Sequence, residues 1–129
     1  MRRRFKVLRH IFRFHGLLES FKIATNGILY LFLYHRNMRL IFLTGVAAFL
    51  FGIFLGLTKL ELAALCVTIT LVFVAEIFNT AIEMLIDMSV RKYHTLVKLI
   101  KDIAAAVVLI ASLNAIAVGY ILFFRKIFK

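Results

Sequence analysis

The chain of 129 residues has no proline, no tryptophan, one cysteine and only six acidic residues. Without proline, nothing in its apolar runs removes a backbone donor or forces a kink. The lone cysteine, Cys66, excludes a disulfide framework and a thiolate metal site. Set in an apolar run, it reads as a buried structural thiol. The six glycines never fall into a Gly-x-x-x-x-Gly-Lys loop, so there is no P-loop. No serine sits in a nucleophile elbow either. Charged residues make up 18% of the chain, against about a quarter in a soluble domain.

What fills the chain instead is hydrocarbon. Apolar residues are 64% of the total and mean hydropathy is +0.99. A chain this short leaves much of its surface exposed, so that excess cannot be hidden in a core. A soluble domain and a disordered segment are both excluded, and a single integral membrane domain is expected over residues 1–129. The scarcity of acids leaves a formal charge of +11. In an apolar chain this points to anionic lipid headgroups, or a bound polyphosphate, rather than to nucleic acid.

Charge divides the chain. Residues 1–39 carry Arg2, Arg3, Arg4, Lys6, Arg9, Arg13, Lys22, Arg36 and Arg39 against Glu19 alone. Phe5, Leu8, Ile11, Phe12, Leu17, Leu18 and Phe21 interleave with them at near-helical spacing, the pattern of an amphipathic surface helix. His10 and His15 read as interfacial. Ile23 to Tyr34 lacks charge but is too short to span, so it is expected at the interface or against its own bundle. A secretory signal fits poorly, because the first long apolar run begins after Arg39.

Three crossings are expected, over 40–58, 62–87 and 103–124. Thr58 to Glu61 forms the first turn, and Met88 to Lys101 a basic loop that contains His94. Gly52-x-x-x-Gly56, with Gly45 before it, and the Ala111, Ala115, Gly119 stripe are small-residue patterns that let helices approach closely, a hint of self-association. The N-terminal region and the 88–101 loop share one side and hold most of the Lys and Arg. The other side holds only Lys59, Arg125, Lys126 and Lys129. The basic side is therefore expected in the cytoplasm. The expected fold is an all-α membrane bundle.

Acids interrupt the end of the second crossing. At 100° per residue, Glu76 and Glu83 lie about 20° apart around the helix axis and Asp87 about 40° from Glu83, with Asn79 flanking them. Ionisable groups inside a span are costly and mark functional sites. Three uses are open: ligation of a divalent cation such as Mg²⁺, general-base work by a poorly solvated Glu76, or an ion relay. Against these stands the plain alternative that Asp87 and Glu83 reach the interface and pair with Lys98 or Lys101. Lys101 suits a phosphate as a point charge. Asp102 reads best as a cap at the start of the third helix.

The run Glu76-x-x-Asn79-x-Ala81-Ile82-Glu83-x-x-x-Asp87 resembles the signature of the prokaryotic diacylglycerol kinase and undecaprenol kinase family. So does Tyr93-His94-x-Leu96-x-Lys98-x-x-Lys101-Asp102-x-Ala104-Ala105-Ala106. Phe21-x-x-Ala24-x-x-Gly27-Ile28 and Arg36-Asn37-Met38-Arg39 resemble the family's N-terminal pattern. The resemblance implies a homotrimer of three-span subunits in the bacterial inner membrane, each with a surface helix. It implies transfer of the ATP γ-phosphate to a membrane lipid alcohol. By position, Glu76 matches the catalytic base and Glu83 a metal-ligating glutamate at the nucleotide site. Asn79, Asp87, Lys101 and Asp102 match other residues of the ATP site.

Where the family usually has a further metal-holding glutamate, this chain has His35. Imidazole is a poor Mg²⁺ ligand and suits Zn²⁺ or other transition metals. The resemblance thus implies Glu83 with His35 as the metal set, and Mg²⁺, Mn²⁺ or Zn²⁺ as the ion. Asn37-Met38-Arg39 and Lys98-x-x-Lys101-Asp102 sit closer to the undecaprenol branch than to the diacylglycerol branch. Two rival readings stand beside the kinase: a catalytically impaired relative acting as a structural or partner-binding trimer, and a small ion pathway.

Overall fold

The computed structural model describes residues 16–89 and 95–128. They form four helices and, among the described residues, no strand: α1 (Leu17–Tyr34), α2 (Arg36–Phe54), α3 (Lys59–Ser89) and α4 (Thr95–Ile127). The chain divides into two compact units, one ending at Tyr34 and one beginning at His35.

In the first unit, α1 buries none of its residues. Glu19 lies in its first turn, where the helix dipole favours an anion. Tyr30 and Tyr34, one turn apart, hold their rings 4.8 Å centre to centre. Ile23 to Tyr34 is helical. Most of the expected amphipathic pattern, with His10 and His15, lies outside the described residues.

In the second unit, α2, α3 and α4 are each long and apolar enough to cross a membrane. As helices their limits differ from those of the expected crossings. The helix α2 begins at Arg36 and stops at Phe54. It stops there because Gly56 takes φ +69°, which only glycine adopts without strain. The Leu57 amide then donates to the Gly52 carbonyl and the Gly56 amide to the Ile53 carbonyl, both at 3.0 Å. This is a Schellman stop. The turn is therefore Leu55 to Thr58, three residues earlier than a turn drawn at the charges. Lys59 and Glu61 already belong to α3.

At the other end, α3 runs on to Ser89 and α4 starts at Thr95. The expected basic loop over 88–101 is thus largely helix, and Lys98 and Lys101 stand on α4. Its centre, with His94, lies outside the described residues. The physical reason is length. At 1.5 Å per residue, α3 is about 46 Å and α4 about 50 Å long, against a hydrocarbon core of about 30 Å. Charges mark where the chain leaves the hydrocarbon, not where its helices end.

The central helix of the three is α3, which packs on both α2 and α4, more extensively on α4. The α2 contact is close at Gly45, where a Cβ would sit 2.6 Å from Ile69 Cγ2. A Cβ at Gly52 would sit 2.8 Å from Leu57. Gly52 therefore serves packing inside the chain, and Gly56 ends α2. Ala104 and Ala111 are the buried residues of α4. Between α2 and α4, over α3, a cleft of about 340 Å³ is lined in part by Gly45, Ala48, Thr68, Ala115 and Gly119. Cys66 is exposed on α3, so it is not the buried thiol expected. Its position lies off the packing stripe of α3.

Candidate active site

The buried residues of α3 are Leu65, Thr68, Ala75, Glu76, Thr80 and Ile86. On a helical wheel they fall within about 140°, and Asn79, Glu83 and Asp87 fall inside the same sector. The polar row therefore lies on the packing face of α3, where an ionisable group in a span is expected. Apolar side chains such as Leu71, Phe78 and Leu85 cover the rest of the helix and are exposed.

Exposure grades the row. Glu76 is 5% exposed and Thr80, one turn further on, 3%. Asn79 and Glu83 are half-buried, and Asp87 is exposed. Measured along the axis from Ser89, Glu76 lies about 20 Å in, Glu83 about 9 Å and Asp87 about 3 Å. The row thus connects a deep carboxylate to the end of the bundle.

Two contacts organise it. Asn79 Nδ2 donates to Glu83 Oε1 at 3.3 Å, which fixes the carboxylate from one turn below. That leaves Asn79 Oδ1 buried with no hydrogen-bond partner. A buried acceptor in that state costs about 1–3 kcal/mol and signals a group awaiting a partner. At the mouth, Lys101 Nζ of α4 hydrogen-bonds Asp87 Oδ1 of α3. This is the plain pairing foreseen for Asp87.

Asp102 is placed differently. It lies seven residues inside α4, so it is not the cap expected. It lies about 160° around that helix from the buried Ala104, and its carboxylate is 4.0 Å from Lys98 Nζ. Within one chain it is not gathered with the α3 row. His35 occupies the N-cap of α2 in extended backbone, without a capping bond from its side chain. Among the described residues no group of three or more His, Cys, Asp or Glu is arranged to hold a metal.

At the opposite end of the bundle a second polar cluster forms around Glu61. The Thr58 amide donates to Glu61 Oε2 at 2.8 Å, and the Glu61 amide to Thr58 Oγ1 at 3.3 Å. This is a capping box for α3. Arg125 donates to Glu61 Oε1 at 3.0 Å, Lys126 lies 3.6 Å from Oε2 and also donates to the Gly56 carbonyl at 2.9 Å. These contacts tie the end of α4 to the α2–α3 turn.

Two features escaped the sequence. Thr80 sat between motif positions; its signal was its place 40° from Glu76 on the buried sector. The Glu61 cluster joins residues 64 apart; Thr58 to Glu61 was read only as a turn, and its signal was the capping-box spacing Thr58-x-x-Glu61.

A model of the prokaryotic diacylglycerol kinase family matches residues 22–123. The chain belongs to that family. The match begins in α1 and covers the whole polar row. Over 105 residues the chain is 41% identical to a diacylglycerol kinase of Synechocystis sp., covering 81% of this chain and 60% of that protein. Over 109 residues it is 29% identical to an undecaprenol kinase of Bacillus subtilis, covering 84% of this chain and 89% of that one. The chain thus spans only part of the Synechocystis relative's length and nearly all of the Bacillus one.

Proposed function

We propose that the chain is a lipid kinase that moves the γ-phosphoryl group of ATP to a membrane lipid alcohol, with undecaprenol preferred to diacylglycerol. The observation that carries this reading is the position of Glu76: a carboxylate 5% exposed inside a crossing helix, at the deep end of a polar row that leads to the bundle end. Family membership supplies the reaction class. The preference for undecaprenol rests on Asn37-Met38-Arg39 and Lys98-x-x-Lys101-Asp102.

In this reading the lipid hydroxyl reaches Glu76 from the bilayer. Glu76 accepts its proton as the oxygen attacks the γ-phosphorus, the bond from that phosphorus to the β–γ bridging oxygen breaks, and ADP leaves. A carboxylate within reach of the hydroxyl is the group type that serves as a general base. Lys101 offsets phosphate charge at the mouth, while Asn79, Asp87 and Asp102 complete the nucleotide site. Phosphoryl transfer is chiefly positioning and electrostatics, so a site of a few side chains suffices.

A divalent ion fits the donor set in a limited way. Glu83 offers hard carboxylate oxygens, and the partnerless Asn79 Oδ1 beside it marks a place short of positive partners. Too few protein ligands gather for an all-protein cage, which matches an ion held by one or two side chains plus substrate phosphates. Glu83 and His35 would hold it, and it would neutralise charge on the β- and γ-phosphates. The imidazole of His35 favours a softer ion than Mg²⁺ at that position.

The protein is read as a homotrimer in the bacterial inner membrane, with its N-terminus and the carboxylate row on the cytoplasmic side. The basic excess at that end supports this orientation. A trimer would also give Asp102, which faces away from its own α3, a neighbour to serve. The test is transfer from γ-labelled ATP in lipid nanodiscs. Undecaprenol and diacylglycerol are offered separately with Mg²⁺, Mn²⁺ and Zn²⁺. Labelled lipid that vanishes with Glu76→Gln is the expected result. No labelled lipid with any metal would move the reading to the impaired, structural relative.

A further inference from the structure

We propose that Asp87 is a positioning residue, acting on the nucleotide only through Lys101. This rests on the kinase reading. Asp87 stands among the residues that the family resemblance gives to the ATP site, but its own charge argues against a phosphate contact, because carboxylate and phosphate repel. A carboxylate at this place serves a polyphosphate through a cation. The geometry supplies that cation: Lys101 reaches from α4 to hydrogen-bond Asp87 on the last turns of α3.

The contact has a use because of what a lysine lacks. Its ammonium is a point charge on a flexible four-carbon stem, with three donors and no fixed direction. Left alone, it spreads its charge over many rotamers. Held by Asp87, it keeps two N–H donors for phosphate oxygens and stands over the row, with Glu83 one turn deeper. The pair crosses between helices, so it fixes the ammonium relative to both walls of the mouth. The other pair at this end, Lys98 with Asp102, lies within α4 at 4.0 Å and cannot do this.

The pair is exposed on the Asp87 side, with 67% of that side chain accessible. Exposed pairs contribute little to stability, so the effect of losing Asp87 should appear in nucleotide binding rather than in folding. The neighbourhood is also asymmetric. Asp87 alone attracts the phosphates' cation but repels the phosphates, so its net effect on ATP depends on Lys101 being present.

A double-mutant cycle tests this in the full chain in nanodiscs. Binding of γ-labelled ATP is measured without lipid alcohol, and KM and kcat with it, for Asp87→Asn, Asp87→Glu, Lys101→Met and the pair Asp87→Asn with Lys101→Met. The expected results are ATP binding about threefold weaker in Asp87→Asn, a loss falling on KM more than on kcat, partial recovery in Asp87→Glu, and no further loss in the double variant. Thermal midpoints check that each variant is folded. Losses that multiply in the double variant would show that Asp87 touches the nucleotide itself and overturn the proposal. Tighter ATP binding in Asp87→Asn would overturn it too, by making Asp87 a competitor for Lys101. Unmodified protein that binds no ATP would overturn the kinase reading and this one together, whereas additive losses leave the kinase reading standing.

Discussion

The two ends of the α2–α3–α4 bundle use the same residue types but satisfy them differently. At the turn end, Glu61 takes bonds from the Thr58 amide and from Arg125, with Lys126 at 3.6 Å, and Lys126 also satisfies the Gly56 carbonyl. Donors and acceptors are matched there, and one carboxylate ties three helix ends together. At the candidate-site end, Glu76 is buried, Asn79 Oδ1 has no partner, and Lys101 is held by the exposed carboxylate of Asp87. A polar cluster that holds structure together satisfies its members internally. One that must receive a substrate leaves capacity unused and bears its cost. The difference separates the two clusters where residue type alone does not.

The comparison is broken most sharply at Glu76. Glu76→Gln is expected to lower lipid phosphorylation roughly 10³-fold, as loss of a general base does, while the thermal midpoint stays level or rises. The assay is labelled lipid formed per folded molecule. A variant with near-normal turnover would remove Glu76 from the chemistry and leave the site end with no deep reactive group.

Next comes the support of Glu83. Asn79→Leu removes the bond that holds the Glu83 carboxylate, so the metal concentration needed for half-maximal activity should rise about 10–100-fold. A titration of Mg²⁺ and Mn²⁺ measures it. Because Leu also removes the partnerless oxygen, stability should not fall in step with activity. Parallel losses would mean that Asn79 is part of the scaffold, like Glu61.

Packing between the ends gives a third contrast. Gly45→Val places carbon atoms where Ile69 already stands, and forcing α2 off α3 should cost about 1–3 kcal/mol. Denaturation in mixed micelles reads that cost. An unchanged midpoint would show that α2 and α3 do not need this approach.

The smallest effect belongs to the turn end. Glu61→Ala removes half of the capping box and the anchor of Arg125 and Lys126. The thermal midpoint should drop by a few degrees, with turnover per folded molecule unchanged. A fall in turnover out of proportion to unfolding would erase the distinction between the two ends.

Much of this was legible from residue spacing. The runs from Leu40, Leu62 and Ile103 marked three crossings, since a run of uncharged residues that long has few other uses. The Glu76, Asn79, Glu83 and Asp87 row followed from the helical period, and the family from the motif around it. Helix ends were not legible. Lys98 and Lys101 looked like loop residues because they are charged, yet a helix continues through charge wherever water or headgroups surround it. Gly56 looked like half of a helix-contact motif, and only its positive φ shows that it ends α2. Cys66 looked buried because its neighbours are apolar, but in a membrane an apolar neighbourhood is also the outside.

By itself, the sequence determined that this chain enters a membrane as helices, which of its residues are polar within them, and which of those share a face. These depend on composition and on a period of 3.6 residues, both local. Only the tertiary structure decided which face of α3 is inward, that Asp87 meets Lys101 across two helices, that Asp102 turns away from its own row, and that Arg125 and Lys126 close on Glu61. Those outcomes depend on where other helices lie, and no local period encodes that. In a bilayer the apolar surface is at ease on every side, so close approach at glycine and alanine and the need to pair buried polar groups choose the packing face.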